Sequence, residues 1–352
     1  MTRRALATML VFGLLVVLVA VAVFAPVPYV TMSPGPTVNV LGRPDGKPII
    51  DVSGHQTYAA KGQLRLVTVS VTNPTAQISL VDALTAWFDP NRAVYPRDVI
   101  YPPQQTAQDA ERQSSVEMVD SQDTAIAAAL TELGYHLSTQ VEVLSVTKGS
   151  PADGKLKVHD KILRVNGRAI KNAGQVSGAI QRTGAGRPAS FVVRRGHATE
   201  HLRITPKAAP QGPKKKALIG ITVGTGYDFP FDVSVRLGED IGGPSAGLMF
   251  SLGVYDTLTP GSLTGGTVVA GTGTIDRQGH VGPIGGIQQK IVGAARAGAK
   301  VFFVPPGNCS AARHADVAKD QIRLVKAPTM HSAVQSLKAY RRNSHARLPS
   351  CG

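Results

Sequence analysis

Two cysteines in 352 residues, Cys309 and Cys351, are too few and too far apart for a close-spaced metal pair. Aromatic residues make up only 5% of the chain, and no basic stripe interleaves with them, so nucleic-acid binding of any recognised kind is excluded. No G-x-x-x-x-G-K-[ST] stretch occurs, which excludes a phosphate-loop ATPase engine. Internal repeats are missing as well. With 43% hydrophobic residues the chain is not a disordered protein, and its length allows two compact domains with real cores.

Positive charge is plentiful: 38 Lys and Arg against 23 Asp and Glu leave a net charge of +15, spread thinly apart from Lys214-Lys215-Lys216. A solvated surface facing anionic lipid or wall polymer accounts for it. The N-terminus carries Arg3 and Arg4 and then no charge from Ala5 to Ala25. As a helix this run would measure about 31 Å, the thickness of a bilayer core. A cleaved signal peptide has a shorter apolar core, and Pro26 makes a poor cleavage junction, so an uncleaved anchor over 5–25 is expected. Arg3 and Arg4 held in the cytoplasm would put the rest of the chain outside the membrane.

Beyond a Pro- and Gly-rich stretch, Leu64 to Val71 has strand character and Leu80 to Phe88 is helix-like. Residues 90–113 read as loop, and SQDTAIAAALTELG reads as a helix capped by Ser121 with Gly134 at its end. Residues 208–216 read as a linker. Strands at Leu218–Val223, Phe231–Leu237, Thr267–Ile275, Val301–Val304 and Ile322–Val325 then alternate with helices from Ser245, Gly286, Ser310 and Thr329. The expected division is an anchor (5–25), an extracytoplasmic segment (30–120), a unit over 121–207, the linker, a second unit over 217–340 and a tail (341–352).

IGGPSAGLMF, residues 241–250, poses a choice. Ser245 before an apolar run is the usual N-cap of a helix, and it is also a candidate nucleophile. A second stretch, GGIQQK at 285–290, places Lys290 about 40° from Ala294 on the shoulder of a buried helical face. Each signal alone is weak, because a shoulder lysine usually snorkels to water.

Together the two stretches resemble the Ser-Lys dyad of the Lon proteolytic domain, with its P-S-A-G and G-G-I-x-x-K motifs. Thr272-Gly273 stands where that family has a Thr-Gly pair, and Ala297-Gly298-Ala299 and Pro305-Pro306-Gly307-Asn308 continue the pattern. Gly149-Ser150-Pro151-Ala152, Asp160-Lys161-Ile162-Leu163 and Val165-Asn166-Gly167 resemble a PDZ domain of the bacterial protease-associated type. Its carboxylate-binding loop is expected near Leu133-Gly134-Tyr135-His136. In this order the parts look like the membrane-anchored, PDZ-containing Lon-like proteases of Gram-positive, actinobacterial type.

The resemblance implies an α+β fold and an ATP-independent serine endopeptidase. Ser245 would be the nucleophile, Lys290 the base and Thr272 the residue orienting Lys290, with Gly243 and Gly242 as oxyanion donors and no metal or cofactor. It further implies protein or peptide substrates captured by the PDZ unit, a single-pass membrane location with both units extracytoplasmic, and a hexameric ring as the family's common assembly. Gly242 and Thr274 stand where full-length Lon commonly has acidic residues. The early strand and helix at 62–87 also resemble the Lon domain, which would make the PDZ unit an insert in a protease domain split across 55–120 and 217–340.

Two alternatives remain open on the sequence. Gly243-Pro244-Ser245-Ala246-Gly247 fits the elbow of α/β-hydrolases, with His280, His314 or His331 as the base, although the last unit is small for that fold. A PDZ adaptor without catalysis is the other. Whether Cys309 and Cys351 pair to tie down the tail is also left open.

Overall fold

The structure, a computed structural model, describes residues 3–103, 105–209, 216–238, 241–318 and 320–352. Most of the expected linker, with Lys214 and Lys215, lies outside the described residues.

Helix α1 (Arg3–Phe24) projects with its apolar side chains exposed. It leads to β1 (Pro26–Val27), β2 (Tyr29–Asn39), β3 (Ile50–Ser53), β4 (Gln63–Val71), β5 (Ile78–Ser79), α2 (Leu80–Phe88), β6 (Ala93–Pro96) and α3 (Arg97–Ile100). The long helix α4 (Ala107–Glu132) follows. Its start lies well before Ser121, because Thr106 and Asp109 form a capping box that satisfies the free amides of the first turn. Ser121 is therefore an interior residue of α4 rather than its cap. At the other end Gly134 adopts φ +90°, and Tyr135 N–H closes back on Leu130 C=O.

The next unit contains β7 (Thr139–Val146), β8 (Lys161–Val165), β9 (Arg168–Ala169), α5 (Ala173–Thr183), β10 (Ala189–Arg195), β11 (Ala198–Ile204), β12 (Lys207–Ala208), β13 (Ala217–Leu218) and β14 (Ile221–Tyr227). The sheet order is β11-β10-β8-β7-β14, with β14 antiparallel to β7 along its whole length. The strand expected to open the last unit at 217 thus completes this sheet instead. The reason is packing: Ala217 and Ile219 are buried in one core with Val143, Ile162, Val176 and Phe191.

The remaining elements are β15 (Asp232–Val235), α6 (Gly247–Leu258), β16 (Val268–Gly271), β17 (Thr274–Ile275), β18 (Val281–Gly282), α7 (Ile287–Arg296), β19 (Val301–Val304), α8 (Cys309–Ala312), β20 (Arg323–Lys326) and α9 (Met330–Arg342). A six-stranded sheet in the order β20-β19-β16-β4-β2-β6 joins strands from 29–96 to strands from 268–326. The β4-β16-β19-β20 pairs are parallel, and β2 is antiparallel to its neighbours. One face carries α7, which packs on β2 and β4. Met118, Ile126 and Leu130 of α4 share a core with Leu64, Leu66, Leu248 and Phe250. By packing, α4 therefore belongs with this sheet, so a unit boundary at residue 121 would cut a continuous helix.

An ion cluster joins the two parts. His159 Nδ1 lies 2.7 Å from Glu142 Oε1 on β7 and 3.4 Å from Asp123 Oδ2 on α4. Cys309 and Cys351 form a disulfide, and Lys326 N–H donates to Pro349 C=O, so the tail is fastened beside β20.

Candidate active site

Lys290 closes the first turn of α7, where the apolar side of the helix is pressed onto β2 and β4. Ile287, Ile291 and Ala294 occupy that buried side, and the neighbouring Lys290 is drawn in with them to 3% exposure. Burial without a carboxylate partner disfavours its charge and lowers its pKa from 10.5 to about 8. The shoulder position expected from the helical wheel has become an interior one.

Lys290 Nζ donates to Ser245 Oγ at 2.7 Å and to Thr272 Oγ1 at 3.2 Å. The expected strand through Ile275 is broken at Thr272-Gly273, between β16 and β17, and this break delivers Thr272 to the amine. Thr272 Oγ1 in turn donates to Ser245 C=O at 2.9 Å, and Gly273 N–H donates to the same carbonyl at 2.8 Å. The fully buried Thr272 is thus locked by its own donor bond, leaving its oxygen to accept from Lys290.

Ser245 does not cap α6, which begins two residues later at Gly247 and has no side-chain cap. The helix start is fixed by packing instead: a Cβ on Gly247 would lie 2.9 Å from Ile275 Cγ2 and 3.2 Å from Ser121 Oγ. Helix α4 holds the loop in front of Ser245. Ser121 Oγ donates to Pro244 C=O at 3.1 Å, and Ser114 C=O accepts from Gly243 N–H at 3.1 Å.

That second bond corrects the expected donor set, since Gly243 N–H is already engaged. Among the described residues the N–H groups of Gly242, Ser245, Ala246 and Gly247 have no acceptor. Those of Ser245, Ala246 and Gly247 cluster at the N-terminal end of α6, where the helix dipole adds positive potential. The contacts of Ser114 and Ser121 with this loop escaped the sequence reading; their signal is seven-residue spacing, which puts both on one face of α4.

The candidate histidines pair elsewhere. His280 Nδ1 is bonded to the exposed Asp276 at 2.8 Å and His331 Nδ1 to Glu132 at 2.8 Å, so a local Asp–His pair exists but does not include Ser245. No side-chain bond joins His314 to Ser245 among the described residues. A cavity of about 500 Å³ lies at the junction of the two parts, lined by Asp123, Glu142, His159, Arg194 and Phe231 and not by Ser245 or Lys290.

A second feature lies in the β11-β10-β8-β7-β14 sheet. β14 is its edge strand, and α5 packs beside β13 and β14. The turn Leu218-Ile219-Gly220 enters that edge, held by Gln181 of α5, whose amide exchanges two hydrogen bonds with Ala217. Gly220 has φ +77°, and the N–H groups of Ile219 and Gly220 have no acceptor among the described residues. Leu133 to His136, where a carboxylate loop was expected, instead terminate α4, with Leu133 and Tyr135 packed on the larger core.

Comparison with known proteins gives two matched stretches. Residues 114–205 match the PDZ domain, and residues 239–337 match the Lon protease (S16) C-terminal proteolytic domain. "Lon protease 2" of Herpetosiphon aurantiacus is 44% identical over 66 residues, 19% of this chain and 8% of that protein. The Lon protease of Paraburkholderia phytofirmans is 32% identical over 96 residues, 27% of this chain and 12% of that protein. The matched stretches thus span about a tenth of the length of these curated relatives. A solved PDZ domain of the SdrC-like protein from Listeria monocytogenes is 27% identical, covering 24% of this chain and 86% of that domain at a TM-score of 0.22. The chain is a mixed α+β protein that carries a PDZ domain and a Lon-type proteolytic domain, with one N-terminal helix long and apolar enough to cross a membrane among the described residues.

Proposed function

We propose that the chain is a membrane-anchored serine endopeptidase that works without ATP and uses Ser245 and Lys290 as its dyad. The observation that carries this reading is the 2.7 Å contact between Ser245 Oγ and the amine of a lysine buried without a counter-charge. A serine hydroxyl needs an adjacent base, and a lysine serves only when neutral. In the neutral form the hydroxyl donates to the amine, while Thr272 Oγ1 takes one amine N–H and aims the lone pair at Ser245.

As Oγ attacks the scissile carbonyl, its proton passes to Lys290 Nζ, and the carbonyl oxygen gathers negative charge. The free N–H groups at Ser245, Ala246 and Gly247 are oriented for that oxyanion. Collapse of the tetrahedral species breaks the C–N bond, with Lys290 returning the proton to the leaving amine. Water then attacks the acyl-Ser245 ester, giving a proton to Lys290, which returns it to Ser245 Oγ as the ester C–O bond breaks, and the product leaves as a carboxylic acid.

The PDZ unit captures substrate tails. The free edge of β14 adds a peptide as a further strand beside α5, and the amides of Ile219 and Gly220 receive its carboxylate. In this reading the protease domain is split, with the PDZ unit inserted between α4 and β15. Arg3 and Arg4 stay in the cytoplasm and both units lie outside the membrane.

The test is degradation of an unfolded protein by the purified chain without nucleotide. Wild type is expected to cleave, whereas Ser245→Ala and Lys290→Arg are expected to be inert, because arginine keeps its proton. Wild-type activity should rise about fivefold from pH 7 to pH 8 and less than about twofold from pH 8 to pH 9, following the neutral fraction of a group with pKa about 8. Turnover by Lys290→Arg, or loss of activity on replacing His280, His314 or His331, would exclude the dyad.

A further inference from the structure

Outside α1, the exposed large apolar side chains gather on one short helix. α2 buries only Ala83 and Ala86 and turns Leu80, Val81, Leu84, Trp87 and Phe88 outward, with Trp87 71% and Phe88 81% exposed. At about 100° per residue these five fill an arc of about 120°. A surface helix of a water-soluble unit is built the other way round, with its apolar stripe inward. The outward stripe is not a frayed end, because Ser79 and Asp82 form a capping box that fixes the first turn.

Position says what covers it. α1 ends at Phe24, and β1 at Pro26–Val27 pairs with β5 at Ile78–Ser79, which runs directly into α2. α1 also touches α2 and β5. The stripe therefore lies at the level where the apolar run of α1 stops. If that run crosses the hydrocarbon core, its end marks the headgroup boundary. Tryptophan prefers this level, and Tyr29 and Val99, on segments flanking α2, are exposed too.

We propose that α2 lies on the bilayer surface with Leu80, Val81, Leu84, Trp87 and Phe88 in the boundary between headgroups and acyl chains. The proposal rests on α1 being a membrane anchor, as argued above. Because β6 follows α2 and pairs with β2, docking fixes one edge of the catalytic sheet at the membrane. The protease is then held at a set height and orientation, facing chains that emerge from or lie on the bilayer. A second copy of the chain is the competing occupant, but the continuity with α1 places lipid at that height.

Trp87 is the sole tryptophan of the chain, so its emission reports on α2 without labelling. The full-length chain is reconstituted into vesicles of zwitterionic and anionic phospholipid, with part of the lipid brominated either high in the acyl chain or near its end. Docking predicts blue-shifted emission, loss of emission with the high-brominated lipid exceeding that with the deep-brominated one, and little quenching by iodide in the water. Val81→Asp with Leu84→Asp should still float with the vesicles, while Trp87 shifts red and becomes open to iodide. Wild type that floats but shows iodide-accessible Trp87 overturns the docking alone. Shielding from iodide without quenching by brominated lipid assigns the stripe to a second copy and also overturns it. Failure to float removes the anchor, and the docking with it.

Discussion

Replacing Lys290 by methionine is expected to abolish proteolysis and yet stabilise the protein at neutral pH. The shape is nearly kept and the charge is removed. Lowering the pKa from 10.5 to about 8 corresponds to about 3 kcal/mol of folding free energy. The sign follows from proton counting: between about pH 8 and 10.5 the unfolded chain holds a proton on Lys290 that the folded chain has released. Stability therefore rises with pH through that window, and below about pH 8 the full penalty of a buried charge is present. Methionine escapes the penalty but gives up the bonds to Ser245 and Thr272. Each is worth about 1 kcal/mol net, and the half-buried Ser245 hydroxyl regains water.

At pH 7 the variant should thus be more stable by about 1–3 kcal/mol, which for a unit of this size is a rise of about 2–4 °C in melting temperature per kcal/mol. By pH 10 the advantage should be gone. The assay is a pair of melts of wild type and Lys290→Met across this pH range, each with an activity measurement on the same sample. A variant less stable than wild type at pH 7, or a gap that does not change with pH, would falsify the claim that the fold holds this amine against its charge.

Three further outcomes are expected. Gly247→Ala should lower peptide hydrolysis at least tenfold and stability by about 1–3 kcal/mol, since the added methyl collides with Ile275 and crowds Ser121 at the start of α6; kinetics and a melt check both. Gly220→Val should spare hydrolysis of a short peptide and impair degradation of a protein with a free C-terminal tail, because a Cβ there collides with Ser150 Cβ and φ is +77°; equal losses on both substrates would make the turn merely structural. Reducing the Cys309–Cys351 bond, which closes a loop with a sequence separation of 42, should destabilise the C-terminal region by up to about 4 kcal/mol in a melt with and without thiol.

The pairing of Ser245 with Lys290 was legible because its residues lie in short local motifs. The P-S-A-G and G-G-I-x-x-K stretches each keep their residues within one turn or helix, and helical geometry alone put Lys290 beside the buried stripe. Its full burial was not legible, since β2 and β4, which cover α7, come from more than 200 residues earlier in the chain. The position of Thr272 beside the amine depends on a break in a strand, which a run of β-favouring residues conceals. Of the two expected oxyanion donors, Gly243 is engaged for a related reason: whether an amide is free depends on its long-range partner, here Ser114 C=O.

The boundaries failed where sheet pairing is non-local. The first half of α4, AQDAERQSSVEMVD, is polar almost all round and so lacks the apolar period by which helices are recognised. Residues 217–227 follow the linker in sequence and yet pair back on the preceding unit, β13 with β12 and β14 with β7, while Val143, Ile162 and Phe191 offer Ile219 a core. This order has a mechanical consequence for the proposed reaction. The strand that would receive a substrate tail ends at Tyr227, and five residues on, β15 begins, leading toward the loop that carries Ser245. A tail added along β14 would therefore pull directly on the segment before the nucleophile, whereas an N-terminal binding loop at Leu133–His136 would act only through α4. Inserting a flexible spacer after Tyr227 separates the two. If capture acts through this strand, the spacer should reduce degradation of tailed proteins while short-peptide hydrolysis is kept, and an unchanged ratio of the two rates would show that capture and cleavage are joined by tethering alone.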